Sequence, residues 1–177
     1  MGTVFSIKWR YCRYLTLLVV LIGSSGCVRA PIDISQGIAE LSVAQVREIV
    51  KKGESPASLN NQQLLWGGIV VRTENLPSST LIEVSGYPLD RRQRPLSAHD
   101  TQGRFLITHD GFLEPVDFPP GRSITVLGTF AGVREGKVGA AEYVYPIVQS
   151  DDIHAWNPSD LPVKPRLTFG IGINLGN

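Results

Sequence analysis

Hydrophobic positions along the chain fall into three patterns, and each predicts a different element. Residues 15–22 are apolar except for Thr16. At 1.5 Å per residue a helix needs about 20 apolar residues to cross roughly 30 Å of hydrocarbon, so this run is about half long enough. Lys8, Arg10 and Arg13 precede it, and Gly23, Ser24, Ser25 and Gly26 follow. A basic start, a short apolar centre and a small-residue exit predict a secretory signal over residues 1–26. Residues 27–41 show no period and are interrupted by Pro31, Ser35 and Gly37, which predicts a tether. Fully extended, a dozen such residues reach about 40 Å.

The second pattern begins at Ser42. Ser42 and Gln45 fit a capping box, and Val43, Val46, Ile49 and Val50 recur at steps of three and four. Lys51 and Lys52 suit the negative end of the helix dipole, and Gly53 suits a left-handed cap. The apolar stripe is narrow and lacks Trp, Phe and Leu. It therefore predicts a short helix packed on a sheet rather than one lying in a membrane surface.

From Leu64 onward the period shortens to that of strands. Segments 64–75, 80–90, 103–109, 123–133 and 141–156 are strand-like, separated by "LPSS", "PPGR" and other turn signals. Gly67 and Gly68 within the first predict a bulge or a close backbone approach. In the second, Leu81, Glu83 and Ser85 alternate with Ile82, Val84 and Gly86, and either set suits the interior. Residues 134–137 look like the turn into the last strand. The expected fold is mainly β: a small OB-like five-stranded barrel over residues 42–157, preceded by one short helix. Residues 158–177 form a separate tail. In it Leu167, Phe169, Ile171, Ile173 and Leu175 share one side, compatible with an added strand, a partner-binding segment or a disordered end.

Cysteine placement and charge narrow the function. Cys12 lies in the signal and Cys27 is the first residue after it, so a single mature chain forms no disulfide. Removing Lys8, Arg10 and Arg13 with the signal turns 17 basic and 16 acidic residues into 14 and 16, a net charge of −2. Nothing here has the clustered positive face expected of a nucleic-acid binder. His99-Asp100, His109-Asp110 and Asp151-Asp152 with His154 invite a metal site. Their spacing suits solvated loops better than a zinc set, so no metal is expected. Serine, histidine and aspartate all occur, but no Gly-x-Ser-x-Gly elbow does. "GVREGK" and "FGIGINLG" lack the spacing of phosphate-binding loops. The expectation is a protein with neither catalytic residues nor a cofactor.

Ordered motifs then point to a family. "WGGIV" at 66–70, "YPLDRRQRPL" at 87–96, "GRFLI" at 103–107, "GFLEPVDFPPGRSITVLGTFAG" at 111–132, "EYVYPIV" at 142–148 and "HAW" at 154–156 together resemble the Slp family of outer-membrane lipoproteins, named for a starvation-inducible member. Glu114 stands where aspartate is common, and Ser24 where the lipid-attachment signal usually has Leu. The resemblance implies that Cys27 is the lipidation site, bearing acyl chains that insert in the outer membrane. Val28 in place of aspartate implies release from the inner membrane. The family supplies an address facing the periplasm and no established substrate.

The motifs also have local readings. Pro88 ends a strand, Asp90 caps the following turn, and Phe112 with Leu113 covers a barrel end. Arg104 is expected in a structural ion pair with Asp90, Asp110 or Glu114. Two functions remain open: a structural or interaction module contacting envelope proteins, or a module binding oligosaccharide or peptidoglycan. The second needs exposed aromatics, and Trp66, Tyr87, Phe118 and Tyr145 are the candidate ligand surface.

Overall fold

The structure is a computed structural model that describes residues 30–34, 37–52 and 54–161. The signal, Cys27, the Gly53 cap and the tail from residue 162 lie outside the described residues.

Helix α1 (Val43–Lys51) starts where the capping box places it. The Ser42 hydroxyl accepts from the Gln45 backbone N–H at 3.2 Å, and the Gln45 side chain accepts from the Ser42 backbone N–H at 2.7 Å. Val43 and Val46 are buried against the barrel. The barrel consists of β1 (Gln63–Asn75), β2 (Ser79–Tyr87), β3 (Gly103–Asp110), β4 (Ser123–Val138) and β5 (Ala141–Ala155). It closes in the order β1-β2-β3-β5-β4, with β3–β5 the one parallel pairing among them. The expected small five-stranded barrel with one helix ahead of it is therefore what this chain forms.

Closure depends on β1 serving two neighbours. Gln63 to Ile69 pair with β4, while Gly67 to Asn75 pair with β2. Where the two pairings overlap, β1 passes close to β2, and a Cβ on Gly68 would run into the Ser85 carbonyl. That is the close approach expected from the paired glycines. Both barrel ends are plugged. At one, Val43 sits over Gly86, and Trp66 donates its indole N–H to the Leu41 carbonyl at 2.6 Å while meeting Phe105 edge-on at 5.2 Å. At the other, the β3–β4 segment lays Leu113 and Phe118 against the core.

Three expectations are corrected. Residues 134–137 do not turn: β4 continues to Val138 and the chain reverses at 139–140. Gly139 takes φ 61°, which suits the first position of a two-residue hairpin loop. The glycine and charges of 134–137 instead sit on an exposed ribbon where polar side chains cost nothing. Phe112 does not cover the barrel end, being 64% exposed; Leu113 does so, together with Phe118. The stretch 27–41 is also not a free spacer along its whole length. Ile32 is 2% exposed, and the Ala39 N–H donates to the Gln63 carbonyl at 2.9 Å.

Because the space at Gly68 is filled by backbone, Gly68→Ala is expected to lower stability by about 1–3 kcal/mol, read from the denaturant midpoint. Gly37→Ala, whose Cβ meets nothing within 4 Å, should leave the midpoint unchanged.

Candidate functional site

In an OB-type barrel the face of strands 2 and 3 is where ligands usually lie. Ile82 and Val84 point into the core here, which turns Leu81 and Glu83 outward onto that face. The register sets Arg72 opposite Glu83 across β1–β2 and Ser85 opposite Arg104 across β2–β3. Both arginines therefore converge on Glu83, which is 7% exposed. Arg104 donates to one carboxylate oxygen at 2.7 Å and Arg72 to the other at 2.9 Å. Arg104 thus makes the expected ion pair, but with Glu83 rather than Asp90, Asp110 or Glu114. The strand register, unreadable from the residues alone, decides the partner.

This face is covered by the chain itself. Beyond the barrel, β4 and β5 continue as a ribbon. Val138, Tyr143 and Ile147 pack on Leu81, Leu106 and the buried Tyr145. The Tyr145 hydroxyl lies between the Glu83 carboxylate, at 3.3 Å, and the Lys137 carbonyl, at 3.0 Å. The Arg104 backbone N–H donates to the Tyr143 hydroxyl, and the Arg47 guanidinium from α1 stacks over the Tyr143 ring at 4.3 Å. Burial works against ionising Glu83, yet hydrogen bonds from Arg104 and Arg72 outweigh it and hold the carboxyl below the ordinary range. The same bonds raise both arginines, and burial followed by the Glu83 charge raises Tyr145. Among the described residues every buried side-chain polar atom has a partner. Such a satisfied ionic cluster holds the ribbon on the barrel and leaves no free group aimed at a ligand.

The aromatic candidates do not share a surface. Trp66 and Phe118 belong to the interior, and Tyr145 lies under the ribbon. Tyr87 is half-buried beside a groove of about 490 Å³ between the 38–42 segment and the end of β2. The histidines sit on separate elements. His99 is exposed on the β2–β3 loop, His154 packs edge-on against Trp156 at 4.5 Å, and His109 Nδ1 lies 2.9 Å from the Ser150 hydroxyl. Among the described residues no three metal-ligating side chains come together.

Asp90 caps its turn as expected. Its Oδ1 accepts from the Arg92 and Arg94 backbone N–H groups at 2.8 and 2.9 Å, and its Oδ2 accepts from the Arg94 guanidinium at 2.7 Å. Its carboxyl is held low: burial opposes this but is outweighed by Arg94 and the two N–H groups. Two residues escaped the sequence reading, Glu83 and Gln93. The signal for Glu83 was a lone carboxylate in an otherwise apolar strand, with arginines in the strands either side. Gln93 carried no signal.

Glu83 is depressed in the folded state, so its stabilisation is full above its unfolded value near 4.5 and drains as pH falls through the folded value. Glu83→Gln should therefore cost about 2 kcal/mol at neutral pH, less than a fully buried pair because both arginines reach solvent. Its Tm should fall less steeply than wild type below pH 4.5; thermal melts of the two proteins across the acid range check this.

The sequence compares with known proteins as follows. Residues 25–170 match the outer membrane lipoprotein Slp family. The chain is 30% identical over 141 residues to an uncharacterized lipoprotein, YeaY, of Escherichia coli K12, covering 80% of this chain and 70% of that protein. It is 32% identical over 148 residues to an uncharacterized protein of Haemophilus influenzae Rd, covering 82% and 76%. It is 32% identical over 111 residues to outer membrane protein Slp of Escherichia coli K12, covering 63% and 58%. With a match across most of its length, and with the ordered motifs carried on a closed barrel, the chain belongs to the Slp family of outer-membrane lipoproteins.

Proposed function

We propose that this protein is a non-catalytic structural or interaction module of the cell envelope, held at the outer membrane by acyl chains on Cys27 and facing the periplasm. The observation that carries the reading is the covered β2–β3 face. The surface on which an OB-type barrel would take a ligand is occupied by the chain's own ribbon, with its one buried carboxylate already bonded by Arg72, Arg104 and Tyr145. An oligosaccharide- or peptidoglycan-binding face would need Trp66, Phe118 and Tyr145 in solvent, and all three are buried. Exposed surface elsewhere, including the β3–β4 segment with Phe112 and Val116, remains for contacts with envelope proteins. A role in starvation or stationary phase is compatible with this reading and rests on the family resemblance.

Membrane fractionation and intact mass of the wild type and of Cys27→Ser in a Gram-negative host test it. The wild type should sit in the outer membrane at the mass of an acylated chain beginning at Cys27, and Cys27→Ser should lose both. Protease added to intact cells should spare the domain, and permeabilising the outer membrane should expose it. A soluble, unacylated wild type, or cleavage in intact cells, would overturn the reading.

A further inference from the structure

Among the described residues the N-terminal segment first meets the barrel at Ile32, ahead of its contacts at Ala39 and Leu41. The side-chain amide of Gln93 accepts from the Ile32 backbone N–H at 3.0 Å and donates to the Ile32 carbonyl at 2.9 Å. Ile32 is 2% and Gln93 4% exposed. Gln93 holds φ at 64°, a region a non-glycine residue keeps only when its surroundings impose it. They do so here: the Gln93 carbonyl accepts from the Thr125 hydroxyl at 2.6 Å, whose oxygen accepts from the Trp156 indole at 2.9 Å. The latch is thus tied through buried hydrogen bonds into β4 and the end of β5.

Its position sets the distance to the membrane. Five residue steps separate Cys27 from Ile32, at most roughly 18 Å of chain. This is less than half the reach of a free tether over 27–41. The latch residue lies on the β2–β3 loop, directly after Arg91 and Arg92. Both arginines are exposed, and neither pairs with a carboxylate among the described residues. Asp90 beside them is occupied by Arg94, and the surface dent between them is lined by Asp90, Arg91, Arg92 and Arg94. The opposite end of β2, at Ser79, is about 26 Å further along the strand. An anchor at Cys27 therefore brings the arginine end of the barrel to the bilayer and leaves the Phe112 and Val116 end pointing away.

We infer that the Ile32–Gln93 latch docks the barrel on the membrane surface, with Arg91 and Arg92 held against the phosphates of anionic phospholipid headgroups. The inference rests on the proposed acylation of Cys27. Guanidinium groups recognise phosphate through paired, charge-assisted hydrogen bonds. Each arginine near an anionic surface adds about fivefold to the bound population, and salt weakens the effect.

The test uses the acylated mature protein in vesicles of phosphatidylcholine with or without phosphatidylglycerol. Ala98→Cys on the β2–β3 loop and Val116→Cys at the far end carry, one at a time, a fluorophore quenched by a headgroup-attached nitroxide. In phosphatidylglycerol vesicles the probe at 98 should be quenched several-fold more than the probe at 116. The double variant Arg91→Glu, Arg92→Glu, altered only at exposed positions, should lower the headgroup-bound population about tenfold or more. Gln93→Ala should reduce quenching at 98 by releasing the barrel. Equal quenching at the two positions, or quenching unaffected by charge reversal and by removal of phosphatidylglycerol, overturns the inference while leaving the anchor intact. Failure of the protein to float with vesicles, or a mass without acyl chains, overturns the lipoprotein reading itself.

Discussion

Closure of the barrel is the constraint on which the remaining structure depends. β5 reaches β3 in parallel register over only three paired positions, Leu106 to Thr108, and through them the sheet loses its free edges. To arrive there, β4 pairs with β1 on one edge and carries β5 on the other, and the β4–β5 pair bends at register shifts beside Gly128 and Gly132. The length left over after the bend is the ribbon. Its apolar side packs on the outer face of β2 and β3, against Leu81 and Leu106. Covering that face and closing the barrel are thus one event. The ionic cluster at Glu83 follows from it, since the ribbon removes Glu83 from water and leaves Arg72 and Arg104 to compensate.

The same closure explains how the described residues, which include no cysteine, build a continuous core. The interior is continuous from Val43 and Val46 at one end to Leu113 and Phe118 at the other, with Phe105, Ile107, Val126 and Phe130 between. Elements outside the sheet act as plugs, so side chains at the open mouths of the barrel are buried rather than wetted. The segment before α1 joins this arrangement through Ile32 and through the Leu41 carbonyl, which satisfies the Trp66 indole. Under the proposed acylation of Cys27, docking this segment would change a loose leash into an oriented mount.

A family address and a physical surface answer different questions. Membership in the Slp family places the protein at the outer membrane, whereas the covered β2–β3 face and the exposed arginine turn bear on what it touches there. A fold shared with ligand-binding barrels does not by itself carry an activity.

The residues by themselves determined what depends on neighbours a few positions apart. The Ser42–Gln45 capping box, the order of five strands and the Asp90 turn were legible because each arises from covalent geometry or from contacts within about one turn of chain. Tertiary structure decided the rest. Which side of β2 faced inward was open until closure placed Ile82 and Val84 in the core and Glu83 outside. Arg104 found Glu83 at a separation of 21 residues, Tyr145 reached Glu83 at 62, and Ile32 met Gln93 at 61. Trp66, Phe118 and Tyr145 suited a core better than a sugar surface, because a large aromatic ring gains most from burial, but only the fold showed them buried. Register and closure act between segments far apart in the chain. No local pattern of polarity records which of them will meet.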